Sequence, residues 1–293
     1  MSDWIELDPS YSTTRRLRND SLREVETNLQ KMRRAQDEFV PMIFHPAMPE
    51  RKGQGGLRTK GFFKKSYTDK PLISVITVVF NGDEHLEQTI LSVISQPYEN
   101  LEYIIVDGGS TDLTIDIIKK YESVIDYWIS ESDNGIYDAM NKACRLAHGS
   151  ALIFLNSGDR FIGDLFSSLG SLQCFLPCKI KESNGLVWAR SISNPHLGLP
   201  TAHQAILFPN QKRLYNTAYL VSADYDYFLR HNMKFEIAQD IGAYILYDNS
   251  GFSTKNKTRR NLETITIIYK HFGLIKTLKY VLIKIKKRFR PPN

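Results

Sequence analysis

Cysteine is scarce in this chain: Cys144, Cys174 and Cys178 are the only three, an odd number with no framework spacing, so a disulfide-stapled scaffold is excluded. The pair Cys174 and Cys178 lacks the second pair that a structural zinc site needs, and both read as small core residues. No apolar signal segment follows Met1, so the expected compartment is a reducing cytoplasm. Neither a G-x-G-x-x-G fingerprint nor a G-x-x-x-x-G-K-[ST] loop is present, which counts against dinucleotide redox chemistry and P-loop hydrolysis without excluding a nucleotide.

Charge of one sign is absent locally. Leu274 to Asn293 holds seven basic residues and no acid, and without them 31 basic groups face 32 acidic ones, although the chain as a whole carries +6. Arg51 to Thr68 is a second acid-free basic stretch, too glycine-rich for a helix, and reads as a loop or arm beside a ligand site or as a solvated linker. The remainder is net acidic, so a body-wide nucleic-acid footprint is not expected.

What is present is a 293-residue α/β pattern with 42% hydrophobic residues, enough for one large domain with appendages. Ser21-x-x-Glu24 reads as a capping box opening an N-terminal helix with Leu22, Val25, Leu29, Met32 and Phe39 on one stripe. Ile73 to Phe80 is a β-branched run of the kind found in a parallel strand covered on both faces, and it ends at Asn81-Gly-Asp83. A helix follows over Glu84–Ser95. A second strand, Tyr103 to Val106, stops at Asp107-Gly-Gly-Ser-Thr-Asp112, where the glycines permit a tight turn and Ser110, Thr111 and Asp112 can cap the next helix. A short strand near Asp126–Ile129, a helix over Gly135–Ala147 and a strand Ala151–Leu155 complete the alternation, and the last strand ends in Asn156-Ser-Gly-Asp159.

Repeated strand, helix, strand units imply a largely parallel sheet with right-handed crossovers, and such sheets bind ligands at the carboxyl ends of their strands. Asp107 and Asp159 are expected to face one crevice there. Two carboxylates in a crevice suit a hard divalent cation, Mg2+ or Mn2+, held with phosphate and water oxygens.

Four stretches in order, Ser74–Asn81, Val106–Asp112, Asp133-Asn-Gly-Ile-Tyr-Asp-Ala-Met-Asn141 and Phe154–Asp159, resemble the nucleotide-binding half of a family 2 glycosyltransferase, over Pro71 to about Phe161. The last two are similar to the branch acting in bacterial exopolysaccharide and O-antigen assembly, colanic acid among them. The resemblance implies a GT-A-like, Rossmann-like fold with an N-terminal helical extension and linker (1–70), a catalytic domain (71–253) and a basic amphipathic C-terminal tail (254–293). It also implies a hexosyltransferase-type enzyme that takes a UDP- or GDP-sugar and inverts the anomeric carbon.

By the same resemblance, donor contacts fall at Phe80, Asn81, Asp107, Asn134, Asn156, Ser157 and Asp159, with Asp107 at the nucleobase and Asp159 at the metal and diphosphate. His203 and Gln204 correspond to an acceptor-side loop, and Asn249 to Ser253 to a short loop that follows the base-bearing helix. The chain departs from the pattern at Leu113 and Ala143, where glycine is usual, and at Asn156 and Gly158, which replace aspartates of the commoner D-x-D-D form. That puts strict metal dependence in doubt.

Asp224 and Asp226 open an expected helix at Ser222, where either can serve as N-terminal charge. The family's base-bearing motif matches Asp224, and an unperturbed carboxylate is ionised at neutral pH. The Q-x-x-R-W signature and transmembrane helices of processive synthases are missing, so transfer of one sugar per encounter to a lipid-linked or oligosaccharide acceptor is expected. In the tail, Leu274, Leu278, Val281, Leu282, Ile285 and Phe289 share a helical face, fit either for packing on the domain or for lying peripherally on an anionic membrane. A nucleotidyltransferase and a non-catalytic nucleotide-sugar-binding scaffold are the alternative readings.

Overall fold

The computed structural model describes residues 4–6, 14–17, 39, 41–182, 185–189, 194–232, 242–248 and 256–288. The helix expected from Ser21 lies outside them except for Phe39, which packs against the core, and so does the loop Asn249–Ser253.

The strands, in chain order, begin with β1 (Trp4–Glu6), β2 (Thr14–Leu17), β3 (Gly53–Gly55), β4 (Phe62–Lys64) and β5 (Ile73–Val79). They continue with β6 (Leu101–Asp107), β7 (Tyr127–Ser130), β8 (Ala151–Phe154), β9 (Arg160–Ile162) and β10 (Cys174–Phe175). The last four are β11 (Cys178–Glu182), β12 (Gly185–Trp188), β13 (Ile206–Pro209) and β14 (Tyr244–Asp248). The described α-helices are α1 (Leu86–Ile94), α2 (Thr114–Lys120), α3 (Ile136–Leu146), α4 (Ala223–His231) and α5 (Lys257–Arg288).

A seven-stranded sheet has the order β10-β13-β8-β5-β6-β7-β3. Its four middle strands are parallel, because helical crossovers join them, while β3, β13 and β10 pair antiparallel at the edges. Every residue of β5 and β6 is buried, as their unbroken apolar runs require of strands covered on both faces. Ile76, Val78, Ile104 and Val106 meet α3 on one side; Val75, Val79, Ile105 and Ile153 meet α1 on the other. The buried cysteines join these layers, Cys144 the first and Cys174 with Cys178 the second.

The basic stretch after Arg51 is neither a free arm nor a solvated linker. It supplies β3 and β4, and β4 completes a three-stranded sheet with β1 and β2. Arg58, 1% exposed, pairs with Glu102 at 2.5 Å. Arg51 pairs with Glu131 at 2.7 Å and Lys64 with Asp126 at 2.8 Å, while Lys52 donates to the carbonyls of Gly109 and Ser110. The stretch is basic because the body it fastens to carries the matching acids.

Burial alone would raise the Glu102 pKa, but Arg58, His148 and a bond from Ser74 bring it down to about 2. Arg58→Ala strands that charge and should cost about 3–5 kcal/mol, read by urea denaturation at neutral pH. Because the folded pKa lies below the unfolded one, this stabilisation is present above about pH 4.5 and fades as pH falls toward 2, so the wild-type advantage over Arg58→Ala should shrink in acid.

Candidate active site

The chain passes from β5 through α1 to β6 and later returns to place β8 on the other side of β5, so strand order reverses between β5 and β8. The carboxyl ends of those two strands form the crevice where ligands bind in such sheets. Asn81 leaves β5 in the left-handed region at φ 49°, with its own N–H bonded to Ser110 Oγ at 2.7 Å and its side-chain oxygen accepting from Thr111 N–H at 2.8 Å. Gly82 follows, and a Cβ there would stand 2.8 Å from Ser157 Oγ, which only glycine avoids.

Asp107 ends β6 and is fully buried. Its carboxylate accepts N–H bonds from Gly109 and Ser110 at 3.1 and 3.0 Å and hydroxyl bonds from Ser110 and, at 2.6 Å, from Ser130 on β7. Its lone pairs are thus spent shaping its own turn, and, contrary to the shared crevice expected, Asp107 is not among the residues lining the pocket that holds Asp159. Ser110 is likewise taken up by Asp107 and Asn81; α2 begins at Thr114, whose N–H meets Asp112 Oδ1 at 3.0 Å. Phe80 is 64% exposed beside Gly108, where a Cβ would stand 3.4 Å from its ring and 2.7 Å from Asp133 Oδ2. Phe80 and Asp133 thus close in on Gly108, where only glycine fits, and leave the Phe80 ring open to solvent next to the β6 turn. Asn134 is exposed on the loop before α3, its N–H bonded to Asp138 at 3.0 Å.

The remaining expected residues converge. A pocket of about 330 Å3 is lined by Asn156, Ser157 and Asp159 after β8, by His203 and Gln204, and by Asp224 on α4. Asp159 is 3% exposed; Oδ1 accepts the Asp248 N–H at 2.9 Å and Gln204 also bonds to it. Burial pushes its pKa up to about 7, against the lowering effect of those bonds and with help from the neighbouring Asp248 carboxylate. The buried oxygens Asn156 Oδ1 and Ser157 Oγ have no hydrogen-bond partner among the described residues. Two adjacent carboxylates and two orphaned oxygens fit a hard cation, although no cluster of three or more His, Cys, Asp or Glu occurs among the described residues.

His203 bonds Tyr215 Oη through Nε2 at 2.8 Å and lies against Phe154 and Phe208; burial drives its pKa down to about 3, so it is neutral. Asp224 and Asp226 diverge as side chains two apart on a helix must. Asp226 is fully buried and held ionised against its burial by His271 at 2.9 Å and Arg230 at 2.7 Å, so it fastens α5 to α4. Asp224 faces the pocket. It is not the unperturbed carboxylate expected, since burial pushes it up to about 6 despite the Tyr225 N–H at 2.8 Å and the nearby Arg260.

Three residues were missed. Arg260 and Thr264 line the pocket from α5, a segment read as tail, and Asp248 arrives from β14. Tyr137 Oη bonds the Val221 carbonyl at 2.9 Å and reaches Asp224 at 3.5 Å, so the Gly-Ile-Tyr element braces the start of α4. Glu263 of α5 accepts the N–H groups of Leu220, Val221 and Ser222 at 3.0, 2.9 and 2.9 Å.

Residues 74–169 match the family model described as glycosyl transferase family 2. They form a family 2 glycosyltransferase domain. An uncharacterised glycosyltransferase of Mycobacterium tuberculosis is 44% identical over 97 residues, 33% of this chain and 37% of that protein. The putative teichuronic acid biosynthesis glycosyltransferase TuaG of Bacillus subtilis is 41% identical over 98 residues, 32% of this chain and 39% of its own length. The chain thus spans under two-fifths of these curated relatives. Among solved structures, S. aureus TarS residues 1–349 with UDP superimposes at a TM-score of 0.51 and 16% identity, over 68% of this chain and 65% of that one, a likeness of fold of the GT-A kind.

The fold disfavours charge on Asp224, so Asp224→Asn should leave the melting temperature at pH 7 unchanged or higher, while Glu263→Ala, which strands three backbone donors, should lower stability by about 1–3 kcal/mol. Differential scanning calorimetry of the two variants checks this.

Proposed function

We propose that the chain transfers one sugar, with inversion, from a nucleotide diphosphate sugar to a hydroxyl of a lipid-linked or oligosaccharide acceptor in bacterial cell-surface polysaccharide synthesis. The observation that carries it is the pocket in which Asp159, from the sheet, and Asp224, from α4, line one space. Inverting displacement needs a base on the acceptor side, separate from the groups that receive the leaving diphosphate. Asp224 takes the acceptor hydroxyl proton on its carboxylate. Arg260 is the cation lining the same pocket and suits the charge of a phosphate-bearing ligand.

Asp159, Asp248 and the free oxygens of Asn156 and Ser157 would hold Mg2+ or Mn2+, which supplies neutralisation of the departing diphosphate. On the donor side, exposed Phe80 offers a face for the nucleobase, with Asn81 and Asn134 on the neighbouring loops and Asp107 buried behind it, holding the β6 turn in shape. TarS binds UDP and UDP-GlcNAc, which favours a uridine donor of the hexosyl type. TuaG's teichuronic acid role favours a surface polysaccharide as product.

Incubation with a panel of UDP- and GDP-sugars should release a nucleoside diphosphate; pyrophosphate released from a nucleoside triphosphate would overturn the reading in favour of nucleotidyl transfer, and binding with no turnover in favour of a scaffold. Asp224→Asn should cut turnover ~100-fold or more with donor affinity nearly unchanged. As the base must be deprotonated, kcat/KM should rise with pH through about 6 and level off above it. Asp159→Ala, or removal of divalent cations with EDTA, should abolish transfer with the fold intact by circular dichroism.

A further inference from the structure

Helix α5 changes character at Gly273, where φ 75° breaks the helical path. Before the break it belongs to the domain: Ile267 and Ile268 are fully buried against Tyr225, Arg260 lines the pocket, and His271 is clamped to Asp226. After the break only a narrow face packs inward, through Thr277 at 7% and Tyr280 at 4% exposure, with Val281 partly covered. Leu274, Ile275, Leu278, Leu282 and Ile285 are 60, 82, 53, 58 and 47% exposed. At 100° per residue they occupy one arc about 100° wide. Of the stripe that suited either packing on the domain or lying on a membrane, Leu274, Leu278, Leu282 and Ile285 face away from the domain, Val281 is partly covered, and Phe289 lies outside the described residues.

Beside that arc stand exposed Lys279 and Lys286, with exposed Lys276 and Lys284 further round, and the sequence carries no acid between Thr264 and Asn293. No helix among the described residues is long and apolar enough to cross a membrane. An apolar face that cannot span a bilayer, flanked on one side by Lys279 and Lys286 and on the other by the part of the helix that packs on the domain, with no acid on this stretch of helix, has the design of a helix lying in the interface of an anionic membrane. A second copy meets the same face less well, because the lysines flanking the two faces would be brought together with no acid on either helix segment to answer them.

We propose that Leu274–Ile285 is a membrane-docking face for anionic lipid, and that α5, which contributes Arg260 to the pocket about 20 Å of helix before the Gly273 break, ties that pocket to the bilayer surface. The docking does not depend on the transfer chemistry, and its test reads no activity. The full chain is floated on a sucrose gradient with vesicles of phosphatidylglycerol and phosphatidylethanolamine in equal parts and with vesicles of phosphatidylcholine alone. Recovery should be at least about tenfold greater with the anionic vesicles and should fall as salt rises. Leu278→Glu with Leu282→Glu alters two exposed side chains, so the melting temperature should hold while flotation is lost. Failure of the wild type to float, equal recovery of wild type and double variant, or a dimer in light scattering that the double variant abolishes in place of lipid binding would overturn the proposal.

Discussion

The site depends on carboxylates that the fold removes from water and then satisfies with backbone N–H groups. Asp107 takes two such donors in its own turn, Asp159 one from β14, Asp224 one from its own helix, and Glu263 three from the segment entering α4. A buried carboxylate is costly unless its oxygens are bonded, so each of these groups holds a loop in place as a condition of being there. The same bonds decide which acid is available for chemistry. Asp107 and Glu263 are consumed by their donors, whereas Asp159 and Asp224 keep pKa values of about 7 and 6, pushed up by burial that their partners only partly offset.

Two halves of the chain therefore meet through α5. Its first turns grip the entry to α4 by Glu263, its middle grips α4 again by His271 and Asp226, and Arg260 and Thr264, on either side of Glu263, line the pocket. What reads as a basic tail is a wall of the site for half its length. The acid-free stretch after Arg51 behaves in the same way, its cations paired with Glu131, Glu102 and Asp126 on the sheet. Acid-free segments of a nearly neutral chain need not be arms; here the first complements the domain's buried acids, and only the end of the second remains outward.

Strands, helices and their alternation were legible because unbroken β-branched runs such as Ile73–Val79 have no other stable place than the middle of a covered sheet. The turn residues of the switch point were legible for the same reason, since apolar runs that stop at Asn81, Asp107 and Asn156 mark strand ends. The divergence of Asp224 and Asp226 follows from helical geometry alone.

By itself, then, the sequence determined the parallel sheet, the positions of its polar strand ends and the helix that carries Asp224, all of which are set by periodicity within about twenty residues. Only the tertiary structure decided which carboxylates stay free, that Asp107 is spent on its own turn while Asp159 and Asp224 share a pocket, that Arg260, Asp248 and Tyr137 join them, and that the Leu274–Ile285 stripe faces outward. Those outcomes rest on burial and on hydrogen bonds between residues distant in the chain, which raise or lower the cost of a charge without leaving a periodic trace in the sequence.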